Sequence, residues 1–381
     1  MSTTEDLTAA AVALAEEARE RKPELDAGRC IPADLMERAG QAGLYRQMLP
    51  VDQGGGGLTP AEWFLNGIEM ARHEPSFAWI VTQTSGDLVT FVTAGSPEWA
   101  QAFLADRGAN TACSDISQGR LIPDGDGFRF SGRWGFCSGC QGATWLGGEG
   151  TIEGSPDGER RYGLVPADRA RIEDSWNVVG MIATGSHTVV VEEQWIPAEW
   201  TFRIDLPAPD DHGRINVATG NGYWPTAASV SSTQLGTARL ALDAAIELLS
   251  RKDSRWDGQK LIENTALQLG LFSAEAAWTA ARDGVVVALG ALWDEAENMR
   301  RVTPATRLRL LAANIHASET ATSVVDRVAG LVGSSIAPAN SVFAACLRDA
   351  HTLGSHIVVG PGMQEHAARI RYGLIDETST V

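Results

Sequence analysis

The residues with the clearest capacity for chemistry lie between Gly125 and Trp145, in the segment GDGFRFSGRWGFCSGCQGATW. Its Gly-Asp-Gly start predicts a tight turn, and the alternating Phe128-Arg129-Phe130 that follows predicts a half-buried strand. Glycine, serine and cysteine then crowd between two tryptophans, which suits a flat surface where a planar ligand approaches the backbone. The spacing by itself favours a simpler alternative, a twisted sheet whose glycines mark bulges.

Two cysteines in this segment, Cys137 and Cys140, form a Cys-x-x-Cys pair that could be a redox dithiol or half of a zinc site. A redox pair should open a helix in a thioredoxin-like unit, and structural zinc needs two further ligands at suitable spacing. The sequence offers neither context around this pair. We therefore predict no metal site and interpret both thiols as small packing residues.

The composition restricts the class of protein and its partners. A formal net charge of −17 argues against nucleic acid and anionic membranes as partners, because both require a basic surface. The sequence has no apolar run long enough to span a bilayer, and its acidic N-terminus lacks the basic region of a signal peptide. Five cysteines, an odd number, indicate reduced thiols and predict a cytoplasmic protein.

Hydrophobic periodicity divides the chain into helical, β and helical parts, which is an α+β organisation. Helical spacing occurs first in the N-terminal segments 3–21, 32–41, 61–73, 76–92 and 97–104. Short strands are then predicted at residues 111–117, 128–132, 144–148, 161–166, 176–180 and 188–196. Long amphipathic segments follow at 226–249, 260–289, 304–332 and 341–350, as in a helical bundle.

This order of elements, with four motifs along it, resembles the acyl-CoA dehydrogenase superfamily over almost the whole chain. The motifs are GLYRQMLPVDQGGGGLTP, ACSD followed by GFRFSGRWGFCSGC, DSWNVVGMIATGSHTVVVEEQWIP, and LRDAHT. The resemblance implies an acyl-CoA dehydrogenase-like fold: an N-terminal α-helical domain at residues 1–108, a central β-barrel or sandwich domain at 109–212 and a C-terminal four-helix bundle at 213–381. It also implies a homotetramer with a flavin held between the β domain and the bundle.

One departure from the superfamily concerns the catalytic base. In true acyl-CoA dehydrogenases this is a carboxylate, most often a glutamate a few residues after Arg-Asp-Ala. Here the sequence has no carboxylate between Asp349 and Glu365, and His356 stands in that region. This is similar to the two-component flavin-dependent monooxygenases of the same fold. The resemblance to these enzymes implies that the protein uses reduced FMN or FAD from a separate flavin reductase, with O₂ as co-substrate. It also implies reaction through a C4a-hydroperoxyflavin and oxygenation of a small aromatic, polyketide-like or amine substrate.

His356 is the residue that we expect to act in catalysis, because an imidazole with a pKa of about 6.5 holds or releases a proton near neutrality. The alternative for His356 is a helix-end histidine that is hydrogen-bonded to backbone. His351 ranks second. Arg348 and Asp349 are interpreted as an ion pair that steadies the helix before this region.

The resemblance also assigns flavin contacts residue by residue. Ser138 is the expected partner of flavin N5 and is counted among the catalytic residues, and Ser186 is expected to support the β domain or the flavin edge. The other expected cofactor contacts are Cys113, Ser114, Trp134, Cys137 and, near an imperfect Arg-x-x-Phe-Gly motif, Arg255.

The candidate substrate wall is the segment from Trp79 to Gly86. Trp79 and Gln83 share one helical face and are expected to line the substrate pocket. For Trp79 the alternative is core packing.

Two other functions stay open on the sequence alone. The first is a flavin dehydrogenase or desaturase whose catalytic base lies elsewhere in the chain. The second is a non-catalytic relative whose flavin site has decayed. The small residues Gly135, Ser138 and Gly139 argue against decay, because they keep the surface of the expected flavin site open.

Overall fold

The structure is a computed structural model that describes residues 4–114, 118–204, 224–299 and 302–375. Its first part consists of the helices α1 (Thr4–Glu20), α2 (Lys22–Gly28), α3 (Ala33–Ala42), α4 (Pro60–Ala71), α5 (Pro75–Ala94) and α6 (Pro97–Leu104). The sequence prediction missed α2. This short helix has its proline in the first turn, where the missing N–H is tolerated.

The starts of α4, α5 and α6 share one local device, a side-chain acceptor followed by proline. Thr59 accepts the Glu62 N–H in a capping box, and the Ser96 hydroxyl accepts the Trp99 N–H without the reciprocal bond of a box. Glu74 caps α5 by accepting the Phe77 N–H at 2.6 Å. The Glu74 cap thus fixes where α5, the helix that carries the candidate substrate wall, begins.

The central part is an eight-stranded mixed sheet. Its strands are β1 (Thr111–Ala112), β2 (Gly119–Asp124), β3 (Gly127–Cys137), β4 (Trp145–Ile152), β5 (Arg160–Pro166), β6 (Arg171–Glu173), β7 (His187–Pro197) and β8 (Thr201–Phe202). They are ordered β6-β7-β3-β2-β4-β5-β8, and β1 pairs in parallel with β4. The register of β3 against β7 shifts twice, so bulges do occur in the glycine-rich stretch.

The predicted strand at residues 176–180 is wrong. The segment is irregular, because the backbone N–H of Trp176 donates to the ring of His187 instead of to a neighbouring strand. Of the predicted strand at 111–117, residues 115–117 lie outside the described residues.

The last part is a bundle of α7 (Trp224–Arg251), α8 (Thr265–Met299), α9 (Pro304–Val332) and α10 (Val342–Gly354), followed by α11 (Pro361–Arg371). Helix α7 packs on α8, α9 and α10 and also on α4 and α5, so the N-terminal helices and the bundle share one hydrophobic core. The predicted domain boundary between residues 212 and 213 lies outside the described residues. No helix in the described ranges is long and apolar enough to cross a membrane.

The three parts of the chain meet at a turn that begins with Met181. The carboxylate of Asp349 on α10 accepts the Met181 N–H at 2.6 Å. A Cβ on Gly180 would lie 2.3 Å from the carbonyl oxygen of Arg348, so only glycine lets the turn approach α10 this closely. Asp349, which the sequence analysis interprets as the ion-pair partner of Arg348, thus holds the backbone of the β domain.

Candidate active site

Ser138 lies directly after β3, where the chain leaves the sheet. The next residue, Gly139, has φ +74°, which glycine adopts without strain, and its N–H donates to the Thr184 carbonyl at 2.7 Å. A Cβ at Gly139 would come within 3.2 Å of the Ile80 side chain, so this turn packs on α5. The serine is thus held between the sheet and the candidate substrate wall.

Trp79 connects two of the predicted site residues. Its indole Nε1 donates to the Ser138 hydroxyl at 2.9 Å. Its ring also contacts the imidazole of His356, with ring centroids 5.4 Å apart. Trp79 is thus a buried core residue that also contacts two of the predicted site residues. The structure brings Trp79, Ser138 and His356 together from all three parts of the chain.

His356 lies in the turn between α10 and α11, and burial lowers its pKa to about 4. The imidazole is consequently neutral at physiological pH. Its Nδ1 accepts the Val358 N–H at 3.4 Å, which leaves the ring proton on Nε2. The backbone-bonded alternative and the catalytic expectation are compatible, because the backbone bond selects the tautomer whose Nε2–H can donate.

His351, the second-ranked histidine, is not part of this group. Its exposed ring pairs with Asp326 at 2.8 Å on the outside of the bundle.

Three hydroxyl groups run from Ser138 into the β domain. The Ser138 and Ser186 hydroxyl oxygens lie 2.8 Å apart, and Ser186 lies 2.8 Å from the hydroxyl of Thr184. Thr184 in turn donates to the Met181 carbonyl at 2.9 Å. The chain of hydrogen bonds thus ends at the same turn that Asp349 anchors from the bundle.

Gln83 lies one helical turn beyond Trp79 on α5 and is half-buried. Its amide donates to Asp87 at 2.9 Å, and the thiol of Cys113 lies 3.7 Å from the other oxygen of that carboxylate. Within the described residues, the buried side-chain oxygen of Gln83 has no hydrogen-bond partner. The predicted pocket residue and the predicted strand residue therefore meet around Asp87, which sequence reasoning did not single out.

Two predicted flavin contacts are core residues. The indole of Trp134 is fully buried in the sheet, where it donates to the Glu149 carbonyl at 2.9 Å and packs on Phe130. The Cys137 thiol is equally buried and donates to the Trp134 carbonyl. Their placement corrects the prediction, since neither side chain reaches a surface where a flavin ring could bind.

The second register shift of β3 exposes a different aromatic ring. Phe136 has φ +62°, is 68% exposed and meets the ring of Trp176 edge-on at 5.9 Å. The loop of Trp176 is held by His187, whose buried Nδ1 accepts two backbone N–H groups. Sequence reasoning missed both aromatic residues, because a glycine-rich strand indicates that bulges occur but not which side chain a bulge turns outward.

The remaining predicted contacts lie at the edges of this region or away from it. Ser114 is buried at the end of the described β1 segment, where its carbonyl accepts the Glu149 N–H at 3.2 Å. Arg255 lies on the exposed turn between α7 and α8, whose own backbone bonds close it. The single chain does not bring Arg255 into contact with the group around Ser138.

The Cys-x-x-Cys pair is part of the packing of the sheet. Cys140 is buried, its thiol donates to the Gly185 carbonyl at 3.4 Å, and burial raises its pKa to about 11. A thiol with this pKa stays protonated and unreactive at neutral pH.

Comparison with protein families identifies the class. The N-terminal domain model of acyl-CoA dehydrogenase matches residues 3–108, and the C-terminal domain model matches residues 228–361. The chain belongs to the acyl-CoA dehydrogenase family.

Individual relatives are oxygenases. The chain is 25% identical to indole-3-acetate monooxygenase of Acinetobacter baumannii, over 95% of this chain and 93% of that protein. It is 26% identical to the oxygenase subunit HsaA of a flavin-dependent monooxygenase of Rhodococcus jostii, over 93% and 94% of the two chains.

Solved structures share the fold. The HsaA monooxygenase of Mycobacterium tuberculosis superposes with a TM-score of 0.88 at 19% identity, with both chains fully covered. XiaF of Streptomyces, solved with FADH₂ and glycerol, superposes with a TM-score of 0.86 at 20% identity, over 98% of this chain and 97% of that chain. Together the comparisons confirm the predicted fold, and they confirm that the protein is a flavin-dependent monooxygenase that uses reduced flavin and O₂.

Proposed function

We propose that this protein is the oxygenase component that hydroxylates a small aromatic compound at the group formed by Trp79, Ser138 and His356. The observation that carries the proposal is the placement of a neutral imidazole 5.4 Å from an indole that is itself bonded to Ser138. The aromatic substrate class follows from the names of the relatives and from the aromatic lining of the site. A separate flavin reductase is the expected partner.

The residues around Ser138 fit a flavin. Ser138 is half-buried and offers a hydroxyl oxygen, while Phe136, two residues before it, has an exposed ring that meets Trp176 edge-on. A planar heteroaromatic ring suits such a surface, because it stacks on aromatic side chains and bonds through its edge. Reduced FMN or FAD, once bound, supplies the activation of O₂.

The protein's own contribution is to position groups, exclude water and supply a proton-bearing group. Trp79 closes one side of the site with a buried ring, and the neutral His356 carries its proton on Nε2, where it would serve as a hydrogen-bond donor to the reacting group. Gln83 and Asp87 form the polar end of the substrate wall, where their oxygens can accept from a ring hydroxyl or N–H.

A dehydrogenase reaction would need a carboxylate base at the site. Asp349, the carboxylate nearest to His356 in the sequence on its N-terminal side, is buried and accepts the Met181 N–H, so it is committed to the domain junction. Asp87, the carboxylate on the substrate wall, is already engaged by the Gln83 amide and the Cys113 thiol. The neutral imidazole of His356, and not a carboxylate, contacts Trp79, which favours the oxygenase over the dehydrogenase alternative.

The test is anaerobic stopped-flow absorbance. Protein loaded with reduced FMN or FAD is mixed with O₂, with and without an aromatic acid or phenol. We expect a transient band that matches neither reduced nor oxidised flavin, and His356→Ala should shorten its lifetime or slow product formation by about 10²- to 10⁴-fold. Flavin that arrives oxidised and reoxidises without a transient band would overturn the proposal.

We further propose a homotetramer that works in the cytoplasm. Leu269, Phe272 and Val287 on α8 are all more than half exposed in the single chain, which suits a helix face that packs on another copy. All five cysteines are free thiols, as expected for a reducing compartment.

A further inference from the structure

The hydrogen bonds that lead away from Ser138 have a fixed direction. The Met181 carbonyl oxygen carries no hydrogen, so the 2.9 Å contact with Thr184 uses the single hydroxyl proton of the threonine. The bond between Thr184 and Ser186 must then use the proton of Ser186. By the same reasoning, the bond between Ser186 and Ser138 uses the proton of Ser138.

The other neighbour of Ser138 imposes the same direction. The Trp79 Nε1–H can only donate, and it donates to the Ser138 oxygen at 2.9 Å. Ser138 therefore donates its hydroxyl proton to Ser186 and accepts one hydrogen bond from Trp79. A hydroxyl oxygen has two acceptor sites, so one remains for a ligand, and that ligand must bring the hydrogen.

The elements that set this direction are rigid. Thr184 and Ser186 are buried, and the turn that presents the Met181 carbonyl is held from α10 by Asp349. Met181 itself has φ +53°, a left-handed backbone conformation that residues other than glycine seldom adopt and that surrounding contacts must hold in place. The far end of the chain of hydroxyls is thus anchored in the junction of the three parts.

We propose that Trp79, Thr184 and Ser186 are positioning residues that hold Ser138 as a hydrogen-bond acceptor and thereby make the site selective for reduced over oxidised flavin. Reduced flavin carries a hydrogen on N5, whereas N5 of oxidised flavin is an acceptor and would face the lone pair of Ser138. This inference rests on the proposed function, because it takes the flavin edge to lie at Ser138.

The decisive variant is Ser186→Ala, because it frees the Ser138 proton to point toward the ligand. Dissociation constants for reduced and oxidised FMN and FAD are measured by anaerobic fluorescence titration, and the affinity ratio is compared between variants. We expect oxidised flavin to bind about 3- to 10-fold tighter and reduced flavin to bind no better, which is the worth of one hydrogen bond. The ratio in favour of reduced flavin should fall accordingly.

A matched pair separates direction from packing. Thr184→Val removes the hydrogen bond to Met181 and should lower the preference for reduced over oxidised flavin, as Ser186→Ala does. Thr184→Ser keeps the hydroxyl and should keep the wild-type preference. Thr90→Val is the control, because the Thr90 hydroxyl bonds to its own helix at Gly86. Thermal melting verifies that each variant is folded.

The outcomes distinguish the two proposals. Equal weakening of both redox forms in Ser186→Ala and Thr184→Val would show that the hydroxyls only support the fold, and would overturn the positioning role while the flavin site stands. A wild-type protein that binds neither redox form would overturn the proposed function and the positioning role with it.

Discussion

Trp79 packs its indole against the imidazole of His356, with ring centroids 5.4 Å apart and ring planes tilted by 58°. The contact joins α5 to the turn after α10. It contributes to the burial of the imidazole, and burial lowers the pKa of His356 to about 4. The same indole donates to Ser138, so one side chain contacts both the histidine and the serine.

The pKa of His356 makes stability depend on pH. Because its pKa in the folded state lies below the unfolded value of about 6.5, the unfolded chain binds a proton first as pH falls between these values. Wild type should therefore lose roughly 1–2 kcal/mol from pH 7 to pH 5 that His356→Gln does not lose. Urea unfolding at both pH values measures this difference, and parallel losses in the two proteins would contradict it.

Asp349 should be essential for the domain junction. Asp349→Ala leaves the Met181 N–H without its acceptor and is expected to cost about 1–3 kcal/mol in the free energy of unfolding. Asp349→Asn keeps an acceptor oxygen and should cost less. Denaturant unfolding compares the two variants, and equal stability of Asp349→Ala and wild type would refute the anchoring role.

Trp134 and Phe136 should separate stability from cofactor binding. Trp134→Phe removes the bond to the Glu149 carbonyl and is expected to lower stability by about 1 kcal/mol without changing flavin affinity. Phe136→Ala, at an exposed ring, should weaken flavin binding with little effect on stability. Flavin titration measures the affinity and thermal melting measures the stability of both variants. A Trp134→Phe protein with impaired flavin affinity would support the prediction that Trp134 contacts the flavin.

The buried thiols should be dispensable for turnover. The double variant Cys137→Ala/Cys140→Ala loses only packing, so we expect about 1 kcal/mol lower stability per residue and an unchanged kcat. Steady-state assays with a flavin reductase test this. Complete loss of activity in a folded variant would instead indicate a chemical role for the pair.

The exposed face of α8 should mediate assembly. Phe272→Glu places a charge in the proposed contact between copies and is expected to convert the proposed homotetramer into smaller species. Light scattering coupled to size exclusion measures the mass of both proteins, and His316→Gln, at an exposed residue elsewhere in the bundle, is the control. A Phe272→Glu protein of unchanged mass would exclude this face.

The sequence by itself determined the order of the elements and the class of protein. The starts of α4 and α6 follow from Thr59-Pro60 and Ser96-Pro97, because caps act over three residues. The motifs that carry the family resemblance, and the histidine in place of a carboxylate, are equally local. Such features can be predicted from the sequence because they depend only on residues that are close together along the chain.

Only the tertiary structure decided which of the predicted residues meet. Trp134, a predicted flavin contact, is buried, and Phe136, for which nothing was predicted, is exposed, because the register of β3 shifts between Trp134 and Cys137. The partner of Asp349 is a backbone N–H of the β domain, far away in the sequence. The direction of the bonds at Ser138 depends on a carbonyl at Met181 and an indole at Trp79, which only packing brings to either side of it.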